Sequence, residues 1–164
     1  MTTIQTYLYT NRVEVQFWDP TIFTTRNREV YAKTVRIYQG VDNPLQFVAR
    51  NQDQKPVNLT GLIVQASIQD PVNELTVAVI PVIMSNISLG RGSFTISSSL
   101  ANSLTQRRYL LTFKTTNIIT NREQPLYGDD NYTAPIQLMV EDAYYSTSLP
   151  PVSDGGILID GGTI

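Results

Sequence analysis

Between Tyr38 and Ile68 the chain reads YQGVDNPLQFVARNQDQKPVNLTGLIVQASI, and this stretch restricts the fold more than any other. Leu45 and Phe47 alternate with Gln46 and Val48, the period of a half-buried strand. The polar run Asn51 to Lys55 ends in Pro56 and forces a turn. Val57 and Leu59 then return inside, Gly61 permits a sharp bend, and Leu62, Val64, Ala66 and Ile68 alternate again. Strand, turn, buried hook and strand in that order are how an antiparallel sandwich carries its chain forward, and the stretch holds no obvious chemistry.

The same alternation continues on both sides. Val13 to Phe17, Lys33 to Tyr38 (Val35 and Ile37 on one face), Phe94 to Ile96, Tyr109 to Phe113 and Ala134 to Glu141 all read as strands. Thr3 to Tyr9 also alternates, and Trp18-Asp19-Pro20 stops the strand before it. Thr21 to Glu29 reads as a loop. Leu75 to Met84 is expected as one strand with Val77 and Val79 sharing a face, with Pro81 or Ile83 in line with them and the proline suggesting an edge or bulge. Ser97 caps a single helical turn carrying Leu100, Ala101 and Leu104. Asn117 to Tyr132 reads as a polar excursion. Seven or eight short strands about ten residues apart predict an all-β, immunoglobulin-like antiparallel sandwich. The expected organisation is an N-terminal extended arm over 1–32, the sandwich over 33–145 and a C-terminal extended arm over 146–164.

Composition narrows function by exclusion. The 164 residues include no histidine and no cysteine. Imidazole bases, thiol nucleophiles, disulfides and structural zinc are therefore all ruled out. No enzyme is expected, and no cofactor or metal. Glu141 and Asp142 are adjacent on one strand and point to opposite faces, so they do not form a carboxylate pair. A net charge of −2 without clustered bases gives no footprint for nucleic acid. The longest apolar run, Val77 to Met84, is too short to cross a bilayer, and nothing at the N-terminus resembles a secretion signal. Without one, the glycosylation patterns at Asn58, Asn86 and Asn131 carry no meaning.

Charge is divided along the chain. All twelve basic residues lie in 1–122, and half of the fourteen acids lie in 123–164. A basic body with an acidic tail is complementary to a neighbouring copy of itself. An acidic tail also serves solubility alone. The tail holds Ile157-Leu158-Ile159 between Asp-Gly-Gly triplets, a poor free segment and a good strand for pairing with another chain's sheet edge. Tyr7, Tyr9, Trp18, Tyr144 and Tyr145 sit near the two arms, where aromatics fit an interface. The same rings would also form a stacking platform for a host glycan, although no focal cluster of acids and amides flanks them. These five with Ile157, Leu158 and Ile159 are the expected interface residues. Asp129-Asp130-Asn131 reads as a solvated loop, its spacing unlike that of calcium loops, and Arg107-Arg108 as the start of a strand.

Pro56, Val57 and Leu59-Thr60-Gly61, then Gly92-Ser93-Phe94, then Tyr109-Leu110-Leu111-Thr112-Phe113 form an ordered set. That set resembles the immunoglobulin-like N-terminal domain of the baseplate upper proteins of tailed phages, over roughly residues 33–142. Arg28 to Tyr31 and Gly40 to Pro44 are similar to structural proteins of large contractile-tailed phages, including cyanophages. The resemblance implies a virion structural protein, partnered by other virion proteins and by copies of itself. The tail, baseplate or fibre-attachment region is the expected place, with the neck or a capsid decoration as the alternative. The chain lacks the long helical or fibre segment that follows the domain in that family. A carbohydrate-binding host-adhesion module is the reading from a different class.

Overall fold

The computed structural model describes residues 11–17, 34–105, 107–126 and 135–142. The hook after the polar turn organises it. Strand β3 (Asn43–Arg50) runs into a turn in which the Asn51 side-chain oxygen accepts the backbone N–H groups of Asp53 and Lys55 at 3.0 and 2.9 Å. Gln54 takes a positive φ of 65°. Pro56 bridges back to Arg50, and Leu59 is driven fully inside, its N–H donating to the Ile87 carbonyl at 3.0 Å. Gly61, at φ +81°, makes the bend that releases the chain into β4 (Leu62–Gln69). An L side chain rarely adopts that conformation, which explains the glycine.

Among the described residues ten strands form two sheets. The first has the order β1 (Asn11–Gln16), β3, β7 (Arg91–Ile96), β6 (Ile83–Asn86). The second has the order β2 (Val35–Tyr38), β10 (Ile136–Glu141), β8 (Arg108–Asn117), β4, β5 (Thr76–Pro81). The short β9 (Glu123–Leu126) pairs with Phe113–Thr116 of β8, on the same side as β10 and beyond it. The expected all-β sandwich is what forms. Its sheets are mixed: β1 lies parallel to β3 and β2 parallel to β10, while the other pairs are antiparallel.

The alternating residues meet between the sheets. Leu45, Phe47, Phe94 and Ile96 from one sheet face Val64, Ala66, Ile68, Leu111, Phe113 and Leu138 from the other, all buried. Phe113 sits between the Phe47 and Phe94 rings, with centroids 5.4 and 5.6 Å away in tilted and edge-on geometry. Such pairs stabilise by about 0.5–1.5 kcal/mol beyond the area they bury. Helix α1 (Ser98–Ser103) closes one end as expected, with the Ser97 hydroxyl accepting the Leu100 N–H at 3.3 Å and Ala101 and Leu104 buried. The β2–β3 turn holds it: Asp42 accepts the Ser98 N–H at 2.7 Å, and Asn102 accepts that of Gly40 at 2.8 Å.

Three expectations change. Val13 to Phe17, assigned to the arm, is built into the sandwich over Asn11–Phe17: Val13 and Val15 are core residues, and the Phe17 N–H donates to the Arg50 carbonyl at 2.9 Å. The single strand expected over Leu75 to Met84 is two strands in different sheets, split at the buried corner Val82. Its inward face is Ala78, Ile80 and Val82, while Val77 and Val79 face out, because β5 pairs with β4 in the register that places Ala78 beside Ile68 and Ile80 beside Ala66. The polar excursion after Asn117 contains β9, which carries Leu126 into the core.

Candidate interaction surface

Asp70 builds the turn that starts the edge strand β5. One of its carboxylate oxygens accepts the Val72 N–H at 2.8 Å, the other accepts the Asn73 amide at 3.0 Å, and its own N–H donates to the Leu75 carbonyl at 2.9 Å. Glu74, at φ 56°, completes the reversal. The chain that emerges is apolar on both faces. Its inward face seals the core beside β4. Its outward face and the preceding turn leave Val72, Leu75, Val77 and Val79 at 73, 66, 44 and 52% exposure, and Ile83 follows at 71% beyond the corner.

No charged residue occurs from Leu75 to Gly90. Edge strands are ordinarily guarded by Lys, by proline or by an inward charge, because their unpaired N–H and C=O groups are templates for another strand. Here Pro81 guards only the end of β5, and among the described residues β5 pairs with β4 alone. Strand β6 continues the line in the other sheet. It approaches β7 so closely that a Cβ on Gly92 would lie 2.8 Å from the Ile83 carbonyl oxygen, and it shifts register between Met84 and Asn86. A smaller apolar group, Ile63 with Ile118 and Ile119, lies at the opposite end of β4, where the Ile118 N–H donates to the Gly61 carbonyl at 3.0 Å.

Two clefts lie among the described residues. One, of about 310 Å³, lies where α1 meets β10 and is lined by Gln39, Leu104, Arg107, Glu141 and Asp142. The other, of about 450 Å³, lies on the outward side of the four-stranded sheet between Arg12, Gln46, Ser85, Arg91 and Ser93. Among the described residues no group of three His, Cys, Asp or Glu side chains is placed to hold a metal ion, and no helix is long and apolar enough to cross a membrane.

The interface residues expected from the sequence, Tyr7, Tyr9, Trp18, Tyr144, Tyr145, Ile157, Leu158 and Ile159, lie outside the described residues, as does the loop Asp129 to Asn131. Arg107 and Arg108 stand exposed at the start of β8, as expected. Asn58 has a local duty that accounts for its pattern: its side-chain oxygen accepts the Thr60 N–H at 3.0 Å and the Thr60 hydroxyl at 2.6 Å. The outward face of β5 was not anticipated. The signal for it was the uncharged run itself, whose length exceeds what one buried strand needs.

No family model matches the chain, and no curated protein matches it. Among solved structures, the N-terminal domain of phage TP901-1 ORF48 is similar at 16% identity and a TM-score of 0.49, over 80% of this chain and 98% of that one. At that score the likeness carries neither fold nor function to this chain.

Proposed function

We propose that this chain is a non-enzymatic structural component of a phage particle, an adaptor of the tail, baseplate or fibre-attachment region. It works by assembly: the sandwich is a rigid body, and the terminal arms lace it to copies of itself and to other virion proteins. The observation that carries this reading is the uncharged apolar edge at β5 and the corner after it, a surface suited to a partner and costly to leave in water.

Two further features support it. The residues of the phage resemblance do structural duty together: Leu59 and Gly61 form the hook, Gly92 and Phe94 lie on β7, and Tyr109, Leu111 and Phe113 line the core from β8. The neighbour orders β3-β7-β6 and β10-β8-β4-β5 follow those of an immunoglobulin-like sandwich, with β1 as a parallel addition. Arms suit a particle because each adds main-chain hydrogen bonds and tolerates mismatched ring symmetries.

Light scattering on the full chain beside a version truncated after Tyr145 tests the reading. A defined oligomer that becomes a stable monomer on truncation supports it. Two monomers with the same melting temperature would refute arm-driven assembly and bring the glycan-binding reading forward.

A further inference from the structure

We infer that the β5 edge is the acceptor for Ile157-Leu158-Ile159 of a second copy, which adds there as a further strand of the six-stranded sheet. The inference rests on the proposed role in assembly and names both surfaces in it. In a strand, Ile157 and Ile159 fall on one face with Leu158 on the other. Val77 and Val79 present the same two-residue spacing on the outward face of β5. Pairing sets β-branched side chains against β-branched side chains, a favourable cross-strand combination. The glycine pairs at 155–156 and 161–162 bound the strand at a length that Thr76–Ile80 accommodates.

Charge leaves this edge open. The triplet is flanked by Asp154 and Asp160, and β5 carries no acid to repel it. By contrast, β1 carries Glu14 in an ion pair with Arg12, β9 carries Glu123 in an ion pair with Lys114, and β2 carries Arg36. Along β5 and on to Gly90 there is no carboxylate. Strand β6 is equally uncharged but short and irregular in register.

Chain length lets the triplet reach a neighbour as well as the same molecule, and the mixing experiment below separates the two. In the six-stranded sheet β10 lies three strands from β5, about 14 Å away. Residues 143–156, which join Asp142 to the triplet, span about 45 Å when extended. That is several times the distance within the chain, and comparable with the roughly 40 Å breadth of a domain this size.

The chain has no cysteine, so each introduced thiol is unique. Full-length Val79→Cys protein is mixed with full-length Ile159→Cys protein under mild oxidation, in parallel with the Val77→Cys and Ile157→Cys pairing. Arg12→Cys on the β1 edge, mixed with each tail variant, is the control. The expected result is a disulfide-linked heterodimer at β5, well above the Arg12→Cys control. The inference is overturned if the control links equally well, if linkage requires both cysteines in one chain, or if Val79→Cys alone dimerises as fast as the mixture. Val79→Lys should also return the full chain to monomer mass with its fold intact by circular dichroism. If truncation after Tyr145 dissolves the assembly and Val79→Lys does not, the arm reading stands and the β5 acceptor falls.

Discussion

The two sides of this sandwich are closed in opposite ways. On one, β1 and β2 lie at the edges of different sheets, and the Asn11 side chain spans the gap to donate to the Arg36 carbonyl at 3.0 Å. Arg12 and Glu14 pair on β1 at 2.9 Å, and Arg36 stands exposed on β2. On the other side the chain itself crosses between sheets at Val82, whose N–H donates to the Val64 carbonyl at 3.0 Å, and the strands before and after it carry no charge. Both sides seal the core with valine: Val13 and Val15 on β1, Val82 at the corner. They differ in what faces solvent. A surface ion pair adds little stability, so the charges on β1 are better understood as guards against strand addition, and their absence from β5 as permission for it.

The comparison is broken most severely by placing one substitution on each side. Val13→Asp, putting an unpaired carboxylate into the core, should cost at least about 3 kcal/mol in urea unfolding. Val79→Asp, on the outward face of β5, should change stability by less than about 0.5 kcal/mol while abolishing association. Two mid-sized tests follow. Gly92→Ala forces a Cβ against the Ile83 carbonyl oxygen at 2.8 Å and the Met84 sulfur at 3.0 Å, so β6 must move, at about 1–3 kcal/mol by thermal melting. On the β2 side, the Asn43 side chain accepts the Tyr38 N–H at 2.8 Å and donates to the carbonyls of Tyr38 and Val41 at 2.8 and 2.9 Å. Asn43→Ala strands those groups, again costing about 1–3 kcal/mol. The smallest change in stability is expected from Arg12→Val with Glu14→Val, below about 1 kcal/mol. The double variant should gain self-association at β1 by light scattering, since the guards are gone.

The strands β3, β4, β7, β8 and β10 were legible because each has a continuous apolar parity against a mostly polar one. Tyr109, Leu111 and Phe113 alternate with Leu110, Thr112 and Lys114, and single residues such as Val48, Ile63, Leu110 and Met139 blur the pattern without erasing it. Leu75 to Met84 was not, because Val77, Val79 and Ile83 are as apolar as Ala78, Ile80 and Val82. Periodicity cannot choose a face there. The choice falls to register against β4 and to the crossing at Val82, both contacts between distant residues. The parallel pairing of β1 with β3 is hidden for the same reason: the pattern of Val13 and Val15 shows a buried face and says nothing of a neighbour's direction. Strand β9 was obscured by its own composition, with Glu123 and Pro125 around one buried leucine.

Of the candidate site, the apolar edge at β5 was not readable in the sequence, since an edge exists only once the sheet is ordered, and the tail triplet expected as an adhesive strand lies outside the described residues.

Amide hydrogen exchange across β5 and β1, in the full-length chain at low and high protein concentration, tests the central claim most directly. Protection of the amides between Thr76 and Ile80 that rises with concentration, disappears on truncation after Tyr145 and leaves β1 unchanged is the expected result. Exchange at β5 that is the same at every concentration, and the same with and without the tail, would contradict it.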